Sequence, residues 1–160
     1  MILDDIKDLI NKRKIFRKIN KAVKNNTVLV LNSEYRQLYI TTKLLELCIK
    51  TDSKLVVKSN RQKERLIIDI MNNYYRYHKF TSKVFNKTSV DLLPNYIMVL
   101  GTITNKPQVL RGNHYKLILD NSIQYKDYKS IIRNSTILYN VESISGVVME
   151  DMDNIEEYIK

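Results

Sequence analysis

At 160 residues, with 44% hydrophobic and 28% charged side chains, the chain suits one globular domain and is too apolar for wholesale disorder. Three glycines and two prolines exclude a collagen-like repeat or a flexible inter-domain linker. No apolar run nears the roughly 20 residues that cross a bilayer, and Asp4, Asp5 and Asp8 carry the wrong charge for a secretory leader, so the expected compartment is cytoplasmic, with no membrane partner.

The balance of 27 Lys and Arg against 17 Asp and Glu gives a net charge of +10, unevenly spread. Residues 150–160 hold five acids and one base, which leaves 26 bases against 12 acids, or +14, on residues 1–149. Such an excess sets up a long-range field that draws polyanions, chiefly nucleic acid.

In chain order, Leu3, Ile6, Leu9, Ile10, Ile15, Phe16, Ile19 and Val23 recur at helical spacing and predict a helix over residues 3–24. Acids stand at its start and bases follow, matching the helix dipole, and from Leu9 onward its charged side is entirely positive: Lys12, Arg13, Lys14, Arg17, Lys18, Lys21 and Lys24 form the densest basic stripe in the chain. Asn25-Asn26 predicts a turn, and residues 27–31 read as a strand buried on both faces. A helix is expected over residues 34–50, a strand over 54–58, and a helix over 61–77 capped by Ser59 or Asn60 with Glu64 in the capping-box region. Further strands are expected at 83–85, 96–103, 116–119 and 136–141, with a helix at 126–133 before the last. This alternation predicts an α/β domain: an open, mostly parallel sheet with helices on both faces. The domain divides into a basic N-terminal helix (1–24), a core (25–149) and an acidic C-terminal tail (150–160).

Two segments carry a resemblance. Residues 33–42, with Arg36-Gln37 ahead of Thr41-Thr42, resemble the phosphate-loop region of the ATPase domain of phage terminase large subunits. Residues 109–120, with Arg111-Gly112 leading into an apolar strand that ends at Asp120, resemble that family's approach to its acidic strand. The likeness spans roughly residues 25–145, and superfamily-2 helicases share the same layout. It implies a RecA-like three-layer core, a viral or phage setting, possible virion association and a role in DNA packaging.

The resemblance breaks where phosphate chemistry is done. A phosphate loop needs glycines so that backbone N–H groups close around the phosphates, a lysine for the β- and γ-phosphates, and a hydroxyl for magnesium. Glu34, Tyr39, Ile40 and Thr41 stand at the four defining positions, so only the hydroxyl survives. Asp120 matches the magnesium aspartate, but Asn121 replaces the glutamate that would polarise water. The chain is therefore expected to be a pseudo-ATPase without a nucleotide cofactor. Read without any family, Asp120-Asn121-Ser122 is a turn after a strand.

Other chemistry is sparse. Cys48, set among Leu44, Leu45, Leu47 and Ile49, reads as a buried reduced thiol, and His78 and His114 stand at no metal-site spacing from it, so no metal is expected. Asp120 with Asp127-Tyr128-Lys129 resembles the Asp…Asp-x-Lys pattern of restriction-type nucleases, a minor alternative that would need magnesium. Tyr74, Tyr75 and Tyr77 with Arg76, His78 and Lys79 form a basic-aromatic cluster suited to single-stranded nucleic acid, to a protein interface or to packing at a helix end. Two functions stay open: a nucleic-acid-binding or packaging-related module using the basic helix and the Tyr74–Lys79 cluster, or an assembly subunit recognising a motor, capsid or host protein.

Overall fold

A computed structural model of the protein describes residues 2–31, 40–72, 93–106, 115–139, 141–150 and 157–159. In chain order these form α1 (Ile2–Lys24), β1 (Val28–Leu31), α2 (Ile40–Thr51), β2 (Lys54–Val57), α3 (Asn60–Asn72), α4 (Leu93–Tyr96), β3 (Ile97–Val99), α5 (Leu100–Asn105), β4 (Tyr115–Leu119), α6 (Tyr125–Arg133), α7 (Ser135–Leu138), β5 (Val141–Met149) and β6 (Glu157–Ile159). The strands make one sheet in the order β3-β2-β4-β5-β1-β6. The first five are mutually parallel, and β6 runs antiparallel along β1.

Strand side chains alternate between two apolar layers, as a sheet covered on both faces requires. Leu29, Leu31, Leu55, Val57, Ile118, Val147 and Met149 meet α1, α2, α3 and α4 on one face. Val28, Val30, Val56, Leu117, Leu119 and Val148 meet α5, α6 and α7 on the other. The connecting helices follow the same division. Those carrying the chain outward from β1 to β2 and β3 lie on the first face, and those carrying it back to β4 and β5 lie on the second. Reversing direction and face together keeps every crossover of one hand, the rule for parallel sheets. The result is the three-layer α/β core of RecA-like type, with β5 inserted between β1 and β4.

Local chemistry sets the element ends. At the end of α1, Asn26 takes a left-handed φ of 54°, and the Thr27 amide reaches back to the Ala22 carbonyl at 2.9 Å, so the expected Asn25-Asn26 turn is a helix C-cap. The cap of α3 is Ser59, paired with Gln62 rather than Glu64: the Ser59 amide donates to Gln62 Oε1 at 3.0 Å and the Gln62 amide to Ser59 Oγ at 3.4 Å. Helix α1 buries Ile15, Ile19 and Ala22, but Ile6 and Ile10 of its apolar stripe are 48% and 57% exposed. At 23 residues α1 is about 34 Å long, against about 13 Å for the four residues of β1, so it outruns that strand.

Two expected strands are corrected. The 96–103 run is a three-residue strand followed by α5, because Leu100 and Ile103, three residues apart, are both buried in the second layer. The 136–141 run begins as α7, whose first turn is held by Asn134: its Oδ1 accepts from the Ile137 amide at 3.3 Å and its carbonyl from the Leu138 amide at 3.1 Å. The strand comes later and runs nine residues, from Val141 to Met149. The acidic tail also departs from expectation, since residues 157–159 form β6 on the edge of β1. The expected strand at 83–85 and the end of the 61–77 helix lie outside the described residues, as do residues 34–39 of the expected second helix.

Gly146 explains how β5 fits. Its φ is +119°, and a Cβ there would meet the Leu119 carbonyl oxygen and lie 2.5 Å from the Leu119 amide nitrogen. Only glycine accepts both the backbone angle and the approach of β4. Gly146→Ala is expected to cost about 3 kcal/mol or more, from strain and overpacking together. Urea denaturation checks this, and a variant within about 0.5 kcal/mol of wild type would contradict the close approach.

Candidate functional site

Where β2 and β4 end, the chain leaves the sheet in opposite directions, β2 toward β3 on one face and β4 toward β5 on the other. Parallel sheets take ligands in the crevice outside such a reversal. A cleft of about 1040 Å³ lies there, lined among the described residues by the start of α2, one face of α3 and the turn after β4.

The turn after β4 is built around Asp120. Its amide donates to the Val56 carbonyl at 2.9 Å, extending the ladder to β2, and its carbonyl accepts from the Ile123 amide at 2.9 Å. Carboxylate Oδ2 accepts from the Ser122 amide at 3.0 Å. This is the side-chain-to-backbone turn that Asp favours after a strand. The residue is 3% exposed, and Oδ1 has no hydrogen-bond partner. Burial pushes the Asp120 carboxyl above the ordinary aspartate range, while hydrogen bonding, chiefly from Ser122, pulls less strongly the other way. A buried carboxyl with one oxygen unmatched is costly, and such groups gather at functional sites.

Asn121 and Thr41 close the floor of the cleft. The Thr41 hydroxyl donates to Asn121 Oδ1 at 2.9 Å, joining residues 80 apart in sequence and pinning the first turn of α2 to the end of β4. Ile40, which opens α2, is buried at 1% exposure and points its mass into the core rather than offering a cation. The structure thus brings Ile40, Thr41, Asp120 and Asn121 of the expected site to one end of the sheet. Asp120 is one strand removed from the β1 end, because β5 lies between them. Glu34, Arg36, Gln37 and Tyr39 lie outside the described residues.

Inspection of the sequence alone missed the wall of this cleft. Gln62, Arg65 and Asp69 of α3 line it. Their spacing puts them on one helical face, but no local signal says which face turns toward β4. The nuclease-like residues have other partners: Asp127 Oδ2 accepts from the Gln124 amide at 3.2 Å in the capping box of α6 and from Lys58 Nζ at 2.7 Å, and Lys129 Nζ stands 4.7 Å from the centre of the Tyr125 ring. Cys48 is buried in the first layer, where desolvation and then the Asp120 charge raise its thiol pKa. No group of three or more His, Cys, Asp or Glu suited to a metal ion occurs among the described residues.

A second feature is the outer side of α1. With Ile15, Ile19 and Ala22 facing the sheet, Arg13, Lys14, Arg17, Lys21 and Lys24 are exposed, and Lys12 and Lys18 are half-buried. Lys12 Nζ lies 5.5 Å from the centre of the Phe16 ring, and Lys43 Nζ of α2 lies 5.7 Å from it, so cations of two helices share one aromatic ring. Tyr74, Tyr75, Arg76 and Lys79 lie outside the described residues. No described helix is long and apolar enough to cross a membrane.

No family model matches the chain, and no curated protein or solved structure matches it.

The unpartnered oxygen of Asp120 has a measurable consequence. Because the folded-state pKa is raised, the unfolded chain gives up this proton first as pH rises, so folding loses stability above the ordinary aspartate range of about pH 4. Asp120→Asn keeps an acceptor for the Ser122 amide and removes the titration. It is expected to raise the urea midpoint at pH 7 relative to wild type, and the gain should vanish below about pH 4. A destabilised Asn variant at pH 7 would contradict this account of the carboxyl.

Proposed function

We propose that the chain is a non-catalytic, basic module that binds nucleic acid, built on an ATPase-like core whose phosphate-handling residues have been replaced. The observation that carries the binding reading is the outer side of α1, where the inward packing of Ile15, Ile19 and Ala22 leaves the cations facing away from the core. From Lys12 to Lys24 the helix rises about 18 Å. Duplex DNA presents roughly ten phosphate charges over that distance.

The loss of catalysis rests on the cleft. The one surviving element of a phosphate loop, the Thr41 hydroxyl, is hydrogen-bonded to Asn121. Asn121 itself stands where a water-polarising glutamate would be needed, and Ile40 where a lysine would be. The resemblance to terminases supplies the packaging-related and viral setting of the proposal.

A second reading is favoured by one observation. Ile6 and Ile10 leave an apolar patch on the N-terminal half of α1, as an assembly subunit recognising a motor, capsid or host protein would offer.

Fluorescence anisotropy with short single-stranded and duplex oligonucleotides separates the two. For a contact made by four or five α1 cations, affinity is expected to fall on the order of 10²- to 10³-fold between about 50 and 200 mM salt. Changing Arg13, Lys14, Arg17 and Lys24 to Glu should abolish binding. Salt-insensitive binding, or binding unchanged in that variant, would refute the assignment.

A further inference from the structure

Helix α1 changes its apolar side along its length. At 3.6 residues per turn, Ile6 stands about 180° around the helix from Ile15, and Ile10 about 140° from it. Ile15, Ile19 and Ala22 are buried in the first apolar layer. Ile6 and Ile10 are therefore turned away from the core, at 48% and 57% exposure. The same register gathers positions 2, 3, 6, 9 and 10, all Ile or Leu, into one outward arc of about 120°. Asp4, Asp5 and Asp8 occupy positions outside that arc. The first turns of α1 are thus amphipathic in the opposite sense to the rest of the helix.

The order of these positions identifies the occupant. Reflected about residue 6, the set becomes itself, since 2 exchanges with 10 and 3 with 9. A twofold axis at residue 6, laying a second and antiparallel copy of α1 on the arc, gives every apolar position an apolar partner. An unrelated protein surface would need no such symmetry. Charge selects the same orientation. Arg13, Arg17 and Lys24 are exposed and continue the arc on its outward side. Parallel helices would set each of them against its own counterpart, like charge on like. Antiparallel helices overlap only over residues 2–10 and leave these cations beyond the contact at either end.

We propose that α1 pairs with α1 of a second copy of this chain through Ile6, Ile10 and the other positions of the arc, antiparallel about a twofold axis at Ile6. The pairing makes no use of the basic stripe and stands independently of the nucleic-acid reading. It covers the apolar patch with this same chain in place of a motor, capsid or host protein. Residues 2–10 are fewer than the roughly 20–30 residues a side of a standard interface, so the dimer is weak and reversible. Lys7 is exposed, flanks the arc and meets its own counterpart across the axis. Salt that screens this pair should tighten the dimer, the opposite of its effect on nucleic-acid binding.

Sedimentation equilibrium of the full chain, from about 10 to 500 μM, reads the association. The expected result is a monomer–dimer equilibrium, tighter at about 0.5 M salt than at about 0.05 M. Ile6→Glu with Ile10→Glu should weaken it by about tenfold or more, because each would bury a charge in the contact. The circular dichroism spectrum should not change, since both side chains are exposed in the single chain. Single cysteine variants test the register. Cys48 is buried, so the introduced thiol is the one open to oxidation. Ile6→Cys stands at the axis and should crosslink to its counterpart. Two copies of residue 10 lie about 12 Å apart along the paired helices, beyond the reach of a disulfide, so Ile10→Cys should not. A chain that stays monomeric throughout, or a Glu variant that dimerises like wild type, would overturn the proposal. So would a dimer that weakens with salt, or equal crosslinking through the two cysteine variants.

Discussion

The fold depends on β5 lying between β1 and β4. It is the longest strand, nine residues, and it pairs in parallel with both neighbours. It passes Leu119 so closely that residue 146 has no room for a side chain. The ends of β1 and β4 are thereby set one strand apart, and the chain segments that leave them, the start of α2 and the Asp120 turn, meet through the Thr41–Asn121 hydrogen bond. The cleft over Asp120 is a consequence of that spacing. Because β5 comes late in the chain, this end of the sheet is complete only when residues 141–149 are in place, a non-local requirement that slows folding relative to a helical bundle.

Stability and function pull in different directions at the cleft. An apolar side chain, or an amide, at position 120 would spare the protein a buried carboxyl with an unmatched oxygen. The Ser122 amide holds the carboxyl in one orientation, with its other oxygen buried and without a partner. The basic side of α1 is a different kind of surface. Its cations stand outside a packed apolar face, where their charge costs little and acts at long range.

Much of the architecture was legible because parallel strands are continuous apolar runs. Residues 27–31, 54–58 and 116–119 announced β1, β2 and β4 in this way, and the spacing of Ile15, Ile19 and Val23 announced the buried face of α1. The longest strand was hidden by its composition. Glu142, Ser143, Ser145 and Gly146 break the apolar pattern, although the same glycine is what the position needs, and Ser145 is buried at 3% exposure. Thr136-Ile137-Leu138 has strand-like composition, but Asn134 caps it into helix. Of the site, Asp120 and Asn121 were legible as chemistry at the end of a strand, and Thr41 as a hydroxyl early in a helix. Gln62, Arg65 and Asp69 were not, because their importance comes only from the way α3 lies over the β4 end.

We propose above all that this sheet end does not hold phosphate. Calorimetry comparing Mg-ATP with adenosine, with free phosphate followed in the same solution, tests it most directly. The account expects the triphosphate to add no affinity over the nucleoside and no phosphate to be released. Mg-ATP bound more than about tenfold tighter than adenosine, or steady phosphate release, would show that the chain still handles phosphate and would contradict it.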